Sequence, residues 1–358
     1  MRSADRLLRI AVALLAAGMA WPQTPAPQSA QQGAQLGVAA QHLQEGKVDL
    51  AIRECKAVLA VAPRSAPAHM LLGLARIAQR SNAMTAEAKA ELQQALDLDP
   101  QLLWARFYLA RLYLDQGLPE KARDQLERAL KQSPGLPPLL ALLGEARRKL
   151  GDPAAALDLN RKALNADPTM TPAHYFLALA YLDLKQEQAA LPEIEKAVHS
   201  PDVTPEMFNM LASLYLSGKQ FAKAEDACRK AIALDPSRPD AYLTLARVYN
   251  ARHDSDRALE ALRAALPDGR EFTVSEYYQT LQADIAAERG AAYTDRKAYA
   301  QAIAEYTRAL DLDPRRAVIH RRLAELYLKT GDRAKAELHT REAGDLEKIQ
   351  NQDFPGYA

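Results

Sequence analysis

The hexapeptide ALDLDP occupies Ala95–Pro100 and recurs, letter for letter, at Ala309–Pro314. Two near copies lie between them, ALNADP at Ala163–Pro168 and AIALDP at Ala231–Pro236. Each copy ends in Asp-Pro, and the residue before a proline avoids helical angles. The hexapeptide therefore predicts the end of a helix, and its recurrence predicts an internal repeat.

The prolines that end helical stretches set the length of the repeat. Neighbouring ones are 37, 34, 34, 68 and 78 residues apart, at Pro63, Pro100, Pro134, Pro168, Pro236 and Pro314. These gaps lie close to one or two multiples of 34 residues. On that period the chain divides into nine units, which start near residues 32, 66, 103, 137, 171, 205, 239, 283 and 317.

Small residues recur at fixed positions within the units, where they would let two helices approach closely. Position eight is always alanine or glycine: Ala39, Gly73, Ala110, Gly144, Ala178, Ala212, Ala246, Gly290 and Ala324. Position twenty is always alanine: Ala51, Ala88, Ala122, Ala156, Ala190, Ala224, Ala258, Ala302 and Ala336. Glycine often stands where the first helix must stop, at Gly46, Gly117, Gly151 and Gly331, and favours a left-handed turn there.

A 34-residue helix–turn–helix period with these small residues resembles the tetratricopeptide-repeat family, over about residues 32–345. The resemblance implies an all-α fold, a right-handed α-solenoid (superhelix) of about nine units whose first helices line a concave groove. It also implies a scaffold that binds a protein or peptide partner. We expect no enzymatic activity and no cofactor, because nothing of domain size remains outside the array.

The resemblance implies that positions two, five, nine, twelve and thirteen of each unit face the groove. We predict a binding track through six residues at these positions: Phe107, Arg111, Tyr175, Leu179, Asn209 and Arg247. The alternative is that these side chains pack between units or form solvated surface. Family members that hold chaperone carboxyl termini use Lys and Asn in the groove. Only Asn209 matches that pattern, so we do not expect this activity.

The first residues predict export. Residues 1–20 combine a basic start with a short apolar run that ends in small residues, the pattern of a signal peptide cleaved after Ala20. A Pro/Gln-rich linker follows at 21–31. We expect a periplasmic or secreted protein without a membrane span, which acts in bacterial envelope assembly. An uncleaved inner-membrane anchor is the alternative.

Three segments depart from the regular period. Extra residues around Arg80–Thr85 predict a longer turn. An insertion around 267–282 predicts a first helix that begins early, with a capping box at Thr273–Glu276. Residues 346–358 predict a prolonged last helix and a short tail.

Several classes of function lack support. A net charge of +1 over 358 residues argues against nucleic-acid binding. The seven histidines show no metal-ligand spacing and predict packing rather than a metal site. Cys55 and Cys228 lie five units apart, which predicts two buried free thiols. A carbohydrate-binding or polysaccharide-export accessory role remains an alternative if Phe107, Tyr175 and the Tyr277–Tyr278 pair expose their rings.

Overall fold

The computed structural model describes residues 30–79, 82–266 and 276–353. The predicted signal peptide, most of the linker and the tail from residue 354 lie outside these residues. The described residues form eighteen α-helices and no strand. They belong to two compact units, Met1–Thr204 and Pro205–Ala358.

The first unit holds ten helices, paired as five hairpins. They are α1 (Ala30–Gln44), α2 (Val48–Val61), α3 (Ala66–Gln79), α4 (Asn82–Leu98), α5 (Leu103–Asp115), α6 (Pro119–Gln132), α7 (Pro137–Lys149), α8 (Pro153–Ala166), α9 (Thr171–Asp183) and α10 (Glu187–Val198).

The second unit holds eight helices, paired as four hairpins. They are α11 (Pro205–Ser217), α12 (Phe221–Leu234), α13 (Pro239–Ala251), α14 (Ser255–Ala265), α15 (Glu276–Asp295), α16 (Tyr299–Leu312), α17 (Ala317–Thr330) and α18 (Arg333–Asp353).

Within each unit the helices pack in the order of the chain. The two helices of a hairpin contact each other, and the first helices of successive hairpins also touch, as α5 does α7 and α7 does α9. The alanines of position twenty are buried in all nine hairpins. Alanine leaves room for close helix approach at low cost, so the predicted all-α repeat architecture is confirmed.

Where the repeated hexapeptide follows a second helix, the aspartate of its Asp-Pro pair helps to end that helix. The carboxylate oxygen of Asp99 accepts the backbone N–H of Gln101 at 2.9 Å, and that of Asp313 accepts the N–H of Arg315 at 3.3 Å. The aspartate thus satisfies a backbone donor just beyond the helix end, where proline prevents the helix from continuing.

The turns inside the hairpins show more than the glycines predict. Gly46, Gly117, Gly151 and Gly331 have positive φ, as expected. Four further residues occupy the same turn position with φ of 55° to 60°: Lys185, Lys219, His253 and Lys297. Side chains are disfavoured in this left-handed region, so the packing of the hairpins must hold these turns.

Described residues in the three segments that depart from the 34-residue period are helical. Asn82 to Thr85 are helical, so the prediction of a longer turn there was wrong: the extra residues extend α4 to 17 residues. The first helix of the eighth hairpin, α15, begins at Glu276, and Thr273 of the predicted capping box lies outside the described residues. The last helix, α18, has 21 residues.

One buried position is chemically mismatched. Asn160 of α8 is fully buried, and its Nδ2 donates to the carbonyl of Ala156 at 2.8 Å, but its Oδ1 has no hydrogen-bond partner among the described residues. The residue faces Gly144 of α7, where an added Cβ would lie 2.4 Å from Nδ2. In the second hairpin the same two positions hold Gly73 and Leu92.

We therefore expect Asn160→Leu to raise the free energy of unfolding by about 1 kcal/mol, because it removes a buried acceptor without a partner and keeps the branched arrangement of side-chain heavy atoms. Urea unfolding measures the change. Asn160→Asp, which would bury a carboxylate there, should lower stability. An Asn160→Leu variant that is less stable than the parent would contradict this account of the site.

Candidate functional site

A cavity of about 460 Å³ opens between the first helices α5, α7 and α9 of the first unit. Its apolar lining includes Phe107, Leu142, Met170 and Phe176. Position five of these helices reads phenylalanine, alanine and tyrosine along the chain, and the small one is Ala141 of α7. The methyl group of Ala141 lines the cavity together with the rings of Phe107 and Phe176, and its small size leaves space unfilled.

Two of the charged groups at the cavity neutralise each other. Glu145 of α7 is buried, and Arg148 binds both of its carboxylate oxygens at 2.7 and 3.0 Å. The hydrogen bonds that Arg148 donates to Glu145 raise the pKa of Arg148, although burial of the guanidinium opposes this shift. Arg148 also reaches Asp183 of α9 at 2.9 Å. These bonds fix α7 against α9 and occupy the Glu145 carboxylate.

Arg111 of α5 differs from these groups. Its side chain is half-buried and lines the cavity, and it makes no hydrogen bond or ion pair with any residue that the structure describes. Asp115, one turn further on, is exposed as a residue, yet burial of its carboxyl group raises its pKa, against the opposing charges of Arg111 and Lys149. The cavity therefore presents an apolar floor beside Arg111, a cation with no hydrogen bond or ion pair among the described residues and with the Asp115 carboxyl group one turn away.

The structure brings together only part of the predicted track. Phe107 and Arg111 line the cavity, whereas Tyr175 and Leu179 of α9 are half-buried and are not among its lining residues. On α9 the neighbouring Phe176 lines the cavity instead, with its ring 5.8 Å from that of Tyr175. Position six therefore contributes to the site, and the sequence analysis did not consider that position.

The last two predicted residues lie in the second unit, Asn209 on α11 and Arg247 on α13. The side chain of Arg247 is occupied: it contacts Asp284 at 2.9 Å and Glu288 at 3.1 Å, both on α15. Asp284 also binds Arg316 at 2.5 Å. These residues line a second groove of about 450 Å³, whose charges are largely paired with one another.

Of the rings proposed for carbohydrate stacking, that of Phe107 is enclosed by its neighbours. Phe107 is 2% exposed, and its edge packs against Trp104 and Tyr108 with ring centroids 5.6 and 5.1 Å away. The side chains of Tyr277 and Tyr278 lie outside the described residues. No observation therefore favours a carbohydrate site in this groove.

Both cysteines are buried free thiols, as predicted, and burial raises the pKa of each to about 12. Within the described part of the chain no three metal-ligating side chains come together. No helix in that part is both long and apolar enough to cross a membrane.

Comparison with known proteins agrees with the helical hairpins. Family models described as tetratricopeptide repeat match residues 41–102 and 141–203, and 80–146 and 215–285; one described as TPR repeat matches 290–331. No curated protein matches the sequence.

Among solved structures, the APC/C Cut9–Hcn1 hetero-tetramer is similar in fold, with 16% identity, a TM-score of 0.65, and coverage of 98% of this chain and 71% of that one. The TPR protein TTC0263 of Thermus thermophilus is 25% identical with a TM-score of 0.45, over 51% of this chain and 98% of its own. The repeats matched from residue 41 to residue 331 and the helical hairpins that carry them show that this chain is a member of the tetratricopeptide-repeat family.

Proposed function

We propose that this protein is a scaffold or adaptor that binds a segment of a partner protein in the groove between α5, α7 and α9. The observation that supports this most is the combination of an open apolar cavity with Arg111, a cation that has no partner among the described residues. A groove of this kind suits an apolar anchor side chain together with one charged contact.

The chemistry of the groove favours a partner segment that carries an acidic residue close to a large apolar one. The apolar side chain would fill the space over Ala141 and gain about 25 cal/mol for each Å² removed from water. The acidic group would pair with Arg111 in a charge-assisted hydrogen bond. Of the two carboxylates at the cavity, Glu145 is already held by Arg148 and cannot compete for Arg111.

Selection from a phage library of random dodecapeptides on the full chain tests this function. We expect enriched peptides in which Asp or Glu stands within a few residues of Phe, Leu or Trp. Ala141→Phe should abolish the enrichment, because the ring fills the cavity that the anchor needs. Thermal unfolding of the variant checks that it remains folded.

Ala287→Phe is the matched control. Ala287 occupies the same repeat position on α15 and lines the second groove. This variant should select the same peptides as the parent. If both variants lose the enrichment, or if Ala141→Phe keeps it, the groove of the first unit is not the binding site.

The proposed place of action rests on residues 1–20, whose pattern is that of an export signal. We propose that the protein acts outside the inner membrane, in assembly of the bacterial envelope. Amino-terminal sequencing of the protein from its native cells should begin at Trp21. A chain that retains Met1 would instead support an anchored form.

A further inference from the structure

Position four of several hairpins carries a polar side chain that reaches position twenty-three of the same hairpin. His69 Nδ1 lies 2.6 Å from Glu91 Oε2, and His174 Nδ1 lies 2.6 Å from Glu193 Oε2. In both, Nε2 faces the carbonyl of the preceding closing proline at 3.0 Å. A backbone carbonyl can only accept a hydrogen bond, so Nε2 must carry the hydrogen. An ionised glutamate is also an acceptor, so the hydrogen bond to it requires a second hydrogen on Nδ1.

In each of these two pairs the ring can therefore direct one N–H group at each of its two acceptors. Burial alone would raise the pKa of Glu193, but hydrogen bonds from Lys196 and His174 outweigh it and hold this pKa below its ordinary value. The glutamate side of the pair is a pure acceptor when ionised, so no two N–H groups oppose each other in this arrangement.

The last hairpin replaces the glutamate with a histidine. His320 Nε2 faces the carbonyl of Pro314 at 3.2 Å, and His320 Nδ1 lies 2.9 Å from His339 Nδ1. The proline carbonyl again requires a proton on Nε2 of His320. Only one hydrogen fits between the two Nδ1 atoms, so the bond exists when the pair is neutral or carries one charge. When both rings are charged, two N–H groups point at each other.

The surroundings of the pair oppose the second charge. Tyr327 of α17 stacks on His339 with ring centroids 5.6 Å apart and planes 6° apart. Burial lowers the pKa of His339, the charges of His320 and Lys335 lower it further, and Glu342 acts in the opposite direction. Lys335 and Glu342 stand on α18 itself, and His320 and Tyr327 face it from α17.

We propose that the His320–His339 pair is a proton-operated latch, which holds α18 against α17 near neutral pH and releases it when the second ring is protonated. The helix is suited to release because its buried anchors are small: Ala336 and Ala343 are its buried hydrophobic residues in the part of the chain with described side chains. A mildly acidic medium would thus free the last helix and uncover the face of α17 that carries His320 and Tyr327.

The direction of the pH dependence follows from linkage. A histidine in the unfolded chain has a pKa near 6.5. Because the folded pair resists its second proton, the released state binds more protons below that pH. The stabilisation of α18 by the histidine pair is then complete above about pH 6.5. Below that pH, the equilibrium constant for release of α18 rises about tenfold for each pH unit.

Hydrogen–deuterium exchange of the full chain, with EDTA present and intrinsic rates corrected for pH, tests the latch. Between pH 7.5 and 5.5 we expect the protection of residues 333–349 to fall about tenfold. Helix α10, which carries Glu193, is the internal control and should keep its protection.

Two variants separate the latch from general acid instability. His339→Glu recreates the histidine–glutamate pair found twice elsewhere in the chain, so protection of α18 should hold or rise towards pH 5.5. His339→Gln keeps one hydrogen bond without a second titrating ring and should remove the fall. Equal losses of α18 protection in the parent and in both variants, or no loss in the parent, would overturn the proposal.

Discussion

Replacing Arg111 with glutamate is expected to weaken the binding of the selected acidic peptides by about ten- to a hundredfold. A hydrogen bond to a charged group contributes about 1.5–3 kcal/mol, and about 1.4 kcal/mol corresponds to a factor of ten in affinity. The reversed charge should also change the preference, so that selection on the variant enriches Lys or Arg beside the apolar residue. Fluorescence anisotropy with a labelled peptide measures the affinity.

Arg128→Glu provides the matched control, because Arg128 is an exposed arginine on α6 that does not line the cavity. The affinity of the Arg128→Glu variant for the peptide should stay within about twofold of the parent's, since charges beyond a Debye length of about 10 Å are largely screened. If the two charge reversals weaken binding equally, Arg111 acts through net charge alone. If Ala141→Phe abolishes binding while Arg111→Glu does not, the groove is the binding site but the proposed preference for acidic partners is wrong.

Gly290→Ala should lower the free energy of unfolding by about 1–3 kcal/mol, which is typical of overpacking in a close-packed core. A Cβ at this position would lie 2.7 Å from two ring carbons of Tyr306, Cδ1 and Cε1, and 2.9 Å from Cγ. Tyr306 is 3% exposed, so its rigid ring has little room to move. Urea unfolding of the full chain measures the loss.

The double variant Gly290→Ala/Tyr306→Leu tests the cause. The seventh hairpin holds Ala246 and Leu262 at the same two repeat positions, and both are buried there. The double variant should therefore recover most of the stability that the single variant loses. If Tyr306→Leu and Gly290→Ala simply add their losses, the two positions are not coupled and the packing argument fails.

The fold could be predicted because its main determinants are local and recurrent. Asp99-Pro100 ends a helix through contacts within a few residues. The alanine at position twenty is buried in every hairpin, where its small side chain permits close helix approach. The left-handed Lys185, Lys219 and Lys297 were missed because lysine, unlike glycine, does not itself indicate such a turn. The histidines were interpreted as packing, and the spacing of 19 residues from His320 to His339 was the signal that could have identified their pairing.

The site was predictable only in part. The repeat register identified Phe107 and Arg111 as groove residues. The cavity, however, depends on the small side chain of Ala141, and alanine carries no functional group that would mark it as part of a site. The engagement of Arg247 could not be foreseen, because its partners Asp284 and Glu288 follow the insertion whose helical start the sequence located only approximately.

The central claim is that a partner segment lies in the groove between α5, α7 and α9, and photocrosslinking tests it most directly. A benzophenone amino acid is placed at Asp115, an exposed lining position, or at Arg128, an exposed position that does not line the cavity. The most enriched peptide should crosslink from position 115 and not from position 128. Equal crosslinking from both positions, or crosslinking from 128 alone, would contradict the account.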